Sequence, residues 1–351
     1  MSRSQYAVDP RLTLAGEDGK PLAMAKLPSM AEQISVDQIG ENEFVSTVLP
    51  QRLGNQAPIA YGGCTASLAV HSACHTVKPN YHLYSVLGSF HGPTKIDRKV
   101  NCHVTRTRDT KTFATRRVVT SQTQDDGTER TCCDVFVDFH VLEPELFRYS
   151  VKPAPEYSHG PDDPKATSTN PEIAARLISN GHIPQAAAEA NQRMFAMADA
   201  FFETRSCLAG VSGQNLMGIA KNVRTTQDHL PLADRTSAEW LRIRQPLETE
   251  SQHMAALAFL MDGALSFLPL NLDKKNFVDA GACSTLEFAL RIMVPGIRAD
   301  EWHLRERRTM AAAVGRSYAE GRLFDEQGNV VAVETQSCII RPPPGNSRAK
   351  I

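Results

Sequence analysis

The 351-residue chain lacks an excess of either charge and a long uninterrupted apolar run. Its formal net charge of −1 gives no reason to expect nucleic acid or an anionic membrane as a partner. The longest apolar stretch, residues 253–270, is interrupted by Asp262 and falls short of the roughly 18 uninterrupted apolar residues of a membrane span. The first twenty residues have no apolar segment after their early arginine, so we expect no secretory signal.

Motifs for metals, disulfides and nucleotides are also missing. The eight cysteines are scattered without a C-x-x-C pair and are best interpreted as reduced thiols, which indicates a reducing compartment. His71, Cys74 and His75 share a helical face, but no acidic ligand accompanies them, and packing explains them better than a metal. Gly62-Gly63 has neither a G-x-G-x-x-G pattern nor a P-loop lysine. We therefore expect no metal and no cofactor.

The order of the segments indicates an internal duplication. A strand, a helix and four strands are followed, after a long middle section, by the same series again. In the first block the strand is at 36–50, the helix at 64–77 and the later strands at 83–90, 98–106, 112–123 and 129–140. In the second block they are at 241–247, 251–268, 284–293, 303–312, 313–324 and 330–341. One helix followed by antiparallel strands predicts an α+β fold in which each sheet wraps a helix.

This pattern divides the chain into five parts. We predict an N-terminal arm at 1–35, a first repeat at 36–142 and a Pro/Ser-rich linker with a mixed middle section at 143–235. The second repeat follows at 236–342 and a tail at 343–351. The tail ends in Ala349-Lys350-Ile351, a small-basic-aliphatic tripeptide similar to peroxisomal addresses. We expect a peroxisomal protein, or otherwise a cytoplasmic one.

Three polar residues of the second block are candidates for chemistry. Asp262 interrupts an apolar helix, Thr285 lies near the start of the next strand, and Gln336 lies in the last strand. A buried carboxylate is costly unless donors surround it, and carboxylate, hydroxyl and carboxamide together suit the holding of a water molecule. The alternatives are a satisfied acid at a helix end, an ordinary β-branched strand residue and a solvent-facing amide.

Several segments resemble the acyl-CoA thioesterase II family. Residues 108–117, RDTKTFATRR, are similar to the family's R-D-G-x-x-F-x-x-R-R pattern. Residues 321–336, GRLFDEQGNVVAVETQ, resemble its G-x-x-(Y/F)-x-x-x-G-x-L-(V/I)-A-x-x-x-Q pattern. The resemblance extends over most of 45–142 and 238–341 and includes Met261-Asp262 and the segment Ser284-Thr285-Leu286.

The resemblance implies a double hot-dog fold and hydrolysis of an acyl thioester carried by CoA or by a carrier protein. It places the family's water-activating acid, hydroxyl and amide on Asp262, Thr285 and Gln336. The chain departs from the family at Cys64, where glutamine is usual, and at Glu287-Phe288, where Asp-His is usual. The altered neighbours would suit a branched, aromatic or polyketide-derived acyl chain as well as a fatty one. Fused double hot-dogs often pair further, so a homo-oligomer is a further expectation.

Two other functions remain open at this point. A hot-dog hydratase or dehydratase pairs its Asp with a His, and here the only His in the helix is His253, nine residues before Asp262. A thioester-binding protein without catalysis would not need the three polar residues. Arg106, Arg108, Arg116 and Arg117 are numerous enough for the CoA phosphates, but strand arginines are usually solvated, and none is assigned.

Overall fold

A computed structural model describes residues 28–53 and 57–343. The first 27 residues of the predicted arm and the tripeptide at 349–351 therefore lie outside the described residues. Among the helices of the described ranges, none has both the length and the apolar character needed to cross a membrane.

The described ranges contain thirteen strands, joined in one antiparallel sheet, and eight α-helices. The strands are β1 Val36–Gln38, β2 Glu43–Ser46, β3 His82–Phe90, β4 Asn101–Asp109, β5 Phe113–Thr123, β6 Glu129–His140, β7 Thr167–Ser168, β8 Phe202–Cys207, β9 Thr236–Ile243, β10 Ala282–Ile292, β11 His303–Ala313, β12 Arg316–Phe324 and β13 Val330–Arg341. The helices are α1 Met30–Ile34, α2 Gly62–Cys74, α3 Asn170–Ser179, α4 Gln185–Met194, α5 Ala196–Phe201, α6 Val211–Asn215, α7 Glu250–Met261 and α8 Leu268–Leu272. Short 3₁₀ turns lie at Pro155–Tyr157, Leu232–Asp234 and Phe277–Asp279.

The sheet consists of two halves that meet at one seam. Its order is β1-β2-β4-β5-β6-β3-β10-β13-β12-β11-β9-β8-β7, so that β3 of the first half pairs with β10 of the second. Each half holds one long helix, α2 or α7, and the two helices pack on each other. Both helices are buried nearly all round, which accounts for their small and apolar composition. The predicted α+β double hot-dog is thus confirmed.

The two long helices run in opposite directions. The end of α7 at Asp262 lies against the start of α2 at Gly62, and the end of α2 at Cys74 lies near the start of α7 at Glu250. Each helix N-terminus therefore meets the C-terminus of its neighbour. Because unsatisfied N–H groups give a helix N-terminus a partial positive charge, an acid at the end of α7 is placed where that charge favours it.

Several predicted bounds need correction. The predicted strand 36–50 is two short strands, β1 and β2, separated by a turn. The predicted helix 251–268 ends at Met261, because Gly263 follows and Ala264 adopts a left-handed backbone with φ +75°. The predicted strand 98–106 starts only at Asn101, since Arg98 is held in the preceding turn by two aspartates. The last strand of each half, β6 and β13, has the predicted bounds.

The ends of the predicted arm and of the middle section take part in the packing. Met30 and Ile34 of α1 are fully buried in the main core. Two strands of the middle section, β7 and β8, extend the sheet of the second half, because β8 pairs with β9 and β7 pairs with β8.

Candidate active site

Asp262 caps the C-terminus of α7. Its backbone N–H donates to the carbonyl of Leu260, and the chain turns away at Gly263. The acid therefore ends the apolar helix, whereas the sequence pattern placed it within one. Only 8% of Asp262 is exposed, so its carboxyl group is removed from solvent at the junction of the two helices.

Thr285 reaches the same point through an irregularity in β10. Along β13, Gln336 and Cys338 lie on the inner, buried face, and opposite them on β10 are Phe288 and Thr285. A β-bulge between Thr285 and Glu287 shifts the register by one residue. Without the bulge the regular alternation would turn Leu286 inward in place of Thr285. The extra residue thus brings the hydroxyl group to the helices.

Gln336 joins the polar side chains of the site. Its Nε2 donates to Oδ1 of Asp262 at 3.0 Å, and its Oε1 accepts a hydrogen bond from Oγ1 of Thr285 at 2.9 Å. The hydroxyl of Thr285 also lies 3.5 Å from Oδ1 of Asp262, but its single proton is engaged by the shorter bond. Gln336 is fully buried. The three residues predicted from the sequence therefore form one hydrogen-bonded group.

A fourth member of the group, Glu334, was not predicted. It is 2% exposed, and its Oε1 accepts the second proton of the Gln336 amide at 2.9 Å. The amide N–H₂ of Gln336 thus lies between the carboxyl groups of Glu334 and Asp262, which fixes its orientation, because a flipped amide would turn its oxygen toward both acids. A signal was present: residues two apart in a strand share a face, so Glu334 had to accompany Gln336 inward.

Burial raises the pKa of both carboxyl groups. The pKa of Asp262 rises to about 7 because desolvation outweighs the donors around it, among them the backbone N–H of Gly63 and the side chain of Gln336. The pKa of Glu334 rises to about 8, again through desolvation first and then through the nearby Asp262. Two buried acids that share one amide resist being ionised together.

The start of α2 forms the other wall of the site. A Cβ on Gly62 would lie 2.8 Å from Oδ2 of Asp262 and 3.0 Å from the ring of Phe90, so glycine is what allows the carboxylate to approach the helix. The Tyr61 hydroxyl donates to the carbonyl of Phe259 at 2.9 Å, which ties the start of α2 to α7. The rings of Phe90 and Phe288 lie 5.6 Å apart. The carboxylate of Asp262 thus lies against the N-terminus of α2, near the ring of Phe90.

A buried ion cluster lies behind the site. Arg305 donates through Nη1 to the carbonyl of Leu260 at 2.7 Å and through Nε and Nη2 to Glu239 at 3.1 and 2.5 Å. Arg307 lies 3.4 Å from the same carboxylate. The charge of Arg305 lowers the pKa of Asp262, though less than burial raises it. This cluster also fixes the end of α7 to β11.

The interpretation of the strand arginines as solvated is wrong for Arg116. It is 1% exposed, and its guanidinium donates to Oγ1 of Thr76 at 2.8 Å and to Oδ1 of Asp109 at 2.7 Å. It therefore joins the segment after α2 to the end of β4 and stabilises the fold. Arg117 does face outward, where it pairs with Asp134.

The histidines that the sequence analysis set aside lie away from the site. His253 is near the start of α7, and its Nδ1 accepts a hydrogen bond from the backbone N–H of Ala299 at 3.2 Å. His71 and His75 stack edge to face at the far end of α2. Across the described ranges, no cluster of three or more His, Cys, Asp or Glu side chains suits a metal ion.

Two family models match the chain in succession. Residues 49–140 match the N-terminal domain of acyl-CoA thioesterases and residues 208–340 match their C-terminal domain, so that together the matches span more than half of the sequence. The chain belongs to the acyl-CoA thioesterase family. The resemblance stated from the sequence motifs is thereby confirmed, and membership makes this protein a thioester hydrolase acting on acyl-CoA.

Solved structures share the architecture of this thioesterase. The acyl-CoA thioesterase II TesB2 of Mycobacterium marinum superposes with a TM-score of 0.62 at 22% identity, covering 90% of this chain and 98% of that one. A tesB protein of Mycobacterium avium subspecies paratuberculosis gives 0.61 at 16% identity, covering 89% and 98%. A hot-dog protein of unknown function from Alicyclobacillus acidocaldarius gives 0.61 at 14% identity, covering 90% and 98%. At these identities the likeness establishes the fold.

Proposed function

We propose that the protein hydrolyses an acyl-CoA thioester with a water molecule that Asp262 activates, while Gln336 and Thr285 hold the carboxylate in place. The carrying observation is the Gln336 amide, which donates to Oδ1 of Asp262 at 3.0 Å and is itself fixed by Thr285. A general base must be held in one geometry to act on a bound water. This network supplies that constraint in a buried position.

The proposed reaction needs no covalent intermediate. As the water oxygen attacks the carbonyl carbon, Asp262 takes one proton from it, and the carbonyl oxygen becomes an oxyanion. Collapse re-forms the carbonyl and breaks the C–S bond, and the proton held by Asp262 passes to the departing thiolate. We expect the positive end of α2, which lies against Asp262, to stabilise the negative charge that develops on the carbonyl oxygen. A thioester has little resonance stabilisation, so modest base assistance is sufficient.

A buried cysteine beside the site supports water as the nucleophile. Cys64 is in the first turn of α2, where burial raises the pKa of its thiol to about 12. Only the thiolate is an effective nucleophile, and this thiol stays protonated at neutral pH. The raised pKa of Asp262, about 7, instead suits a base that works near neutrality.

The geometry favours hydrolysis over hydration of an enoyl thioester. The only histidine of α7 is His253, nine residues and about 13 Å of helix from Asp262. In the described ranges the side-chain partners of Asp262 are a hydroxyl and an amide. An acid–histidine pair at one reacting carbon is therefore not what this site offers.

The test is thiol release from a panel of straight-chain, branched and aromatic acyl-CoAs, with the enoyl absorbance followed in parallel. Asp262→Asn is expected to lower kcat/KM by about 10²–10⁴-fold. Asp273→Asn is the matched control, because Asp273 caps the C-terminus of α8 as Asp262 caps α7 but lies on the surface, paired with Lys275. Full activity in Asp262→Asn overturns the proposal, and a change in enoyl absorbance without thiol release assigns a hydratase.

A further inference from the structure

The second buried carboxyl group, Glu334, has fewer donors than Asp262. Asp262 accepts from the backbone N–H of Gly63 and from Gln336, and it lies at the positive end of α2. Within the part of the chain that the structure describes, Glu334 accepts only from Gln336, and its buried Oε2 has no hydrogen-bond partner. Donors stabilise the ionised form of a carboxyl group, and burial without donors stabilises the neutral form. The negative charge therefore belongs on Asp262 and the proton on Glu334.

The charges buried around the pair lead to the same assignment. Arg305 and Arg307 contribute two positive charges and Glu239 one negative charge, and all three are at most 9% exposed. One further negative charge balances the cluster. Two would leave an unpaired charge in a low-dielectric interior, which is strongly disfavoured. The cluster thus accommodates one ionised acid out of Asp262 and Glu334.

We propose that Glu334 is a positioning residue that stays protonated while Asp262 is ionised, and that hydrolysis requires this neutral Glu334. The inference rests on the proposed function of Asp262 as the base. Neutral Glu334 accepts one amide proton of Gln336 and so directs the other proton at Oδ1 of Asp262. When Glu334 ionises, a second negative charge faces the forming oxyanion, and the reaction slows.

The pH dependence of kcat/KM then has two limbs, and each is caused by the titration of a different residue. Protonation of Asp262 gives the acid limb, and ionisation of Glu334 gives the alkaline limb. The other titratable or charged groups around the pair are Tyr61 and Cys64 from α2, Cys133 from β6, Cys283 from β10, Cys338 from β13, Arg305 and Arg307 from β11, and Glu239 from β9. Burial raises the pKa of this tyrosine and these four thiols, to about 11 or higher for the thiols. They stay neutral across the range in which Glu334 titrates.

The decisive variant is Glu334→Gln, which keeps an oxygen acceptor for Gln336 and cannot ionise. We expect the wild type to lose about tenfold in kcat/KM per pH unit above the ionisation of Glu334. Glu334→Gln should keep the acid limb in place and lose the alkaline limb. Glu334→Ala should lower kcat about tenfold because one amide proton loses its buried acceptor, whereas Glu334→Gln restores it. Glu326→Gln, in the exposed turn before β13, is the control.

Each result has one meaning, once thermal unfolding and a no-enzyme blank have been measured at every pH. A wild type without an alkaline limb, or an alkaline limb that persists in Glu334→Gln, overturns the inference. An acid limb that moves to lower pH in Glu334→Gln also overturns it, because it assigns the negative charge to Glu334 and the proton to Asp262. If Asp262→Asn keeps full thiol-releasing activity, the proposed function itself fails, whichever result Glu334→Gln gives.

Discussion

Replacing Asp262 by asparagine should increase the free energy of unfolding at neutral pH while it removes activity. In the folded protein burial raises the pKa of Asp262 to about 7, whereas an unfolded chain has an aspartate pKa of about 3.9. Between these two values the folded state holds a proton that the unfolded state has released. The contribution of Asp262 to the free energy of unfolding is therefore fully present below about pH 4 and is lost as pH rises to about 7.

The size of the effect follows from the width of that window. Stability changes by about 1.4 kcal/mol per pH unit for each proton of difference, so a window of roughly three units corresponds to about 4 kcal/mol. Asparagine does not titrate and escapes this loss. Its amide nitrogen cannot accept the N–H of Gly63, which costs about 1–3 kcal/mol at every pH. The unfolding free energy of the variant, relative to that of the wild type, should thus rise steadily from pH 4 to pH 7. At the upper end the variant should be the more stable of the two.

The measurement is urea unfolding followed by the fluorescence of the two tryptophans, Trp240 and Trp302, at intervals between pH 4.5 and pH 8. The quantity to compare is the difference in unfolding free energy between Asp262→Asn and the wild type. Asp273→Asn, at the exposed end of α8, is the control measured in parallel. A difference that stays constant between pH 4.5 and pH 7 would refute the assignment of a buried, proton-holding carboxyl group at position 262.

Two further predictions concern the groups that hold the acid. Thr285→Val keeps the side-chain shape but removes the hydroxyl donor to Oε1 of Gln336, which keeps the weak thiol donor of Cys338 at 3.8 Å, so kcat should fall about tenfold and the free energy of unfolding by about 1–3 kcal/mol; unchanged kcat would show that the hydroxyl is dispensable. Gly62→Ala places a methyl group 2.8 Å from Oδ2 of Asp262, so it should lower kcat more than Thr285→Val does. In a crystal structure of the alanine variant the carboxylate should be displaced, and an undisplaced, fully active site would contradict this reasoning.

The strand layout could be predicted where alternation and turn residues agree. Strands β6 and β13 alternate between buried and half-buried or exposed residues, and each follows a Gly-containing polar turn, so their bounds are legible in the sequence. The sequence pattern extends α7 too far, to residue 268. The apolar run continues through Leu265 and Leu268, but these two residues belong to a separate buried cluster. Hydrophobicity alone does not distinguish one helix from a helix, a turn and a second helix.

Only part of the candidate site could be predicted from the sequence. Asp262 and Gln336 stand out as polar residues among apolar neighbours, and the motif resemblance singled out Thr285. The inward direction of Thr285 depends on the bulge at Leu286, which is set by pairing across the sheet and not by local sequence. Glu334 could have been found, because its spacing from Gln336 puts both on one face. The alternation rule would likewise have separated buried Arg116 from exposed Arg117.

The fused duplication creates two helix junctions, and the candidate site lies at one of them. Antiparallel packing of α2 and α7 creates two junctions, each with a helix N-terminus against a helix C-terminus. At one junction Asp262 ends α7 beside Gly62, and the seventh residue of β13 is Gln336. At the other, His75 ends α2, and the seventh residue of β6 is the apolar Val135. There the start of α7 carries its own acid, Glu250, bound to His82 at 2.7 Å. The carboxylate at that helix N-terminus is already paired with a side chain, so we assign the proposed site to the first junction.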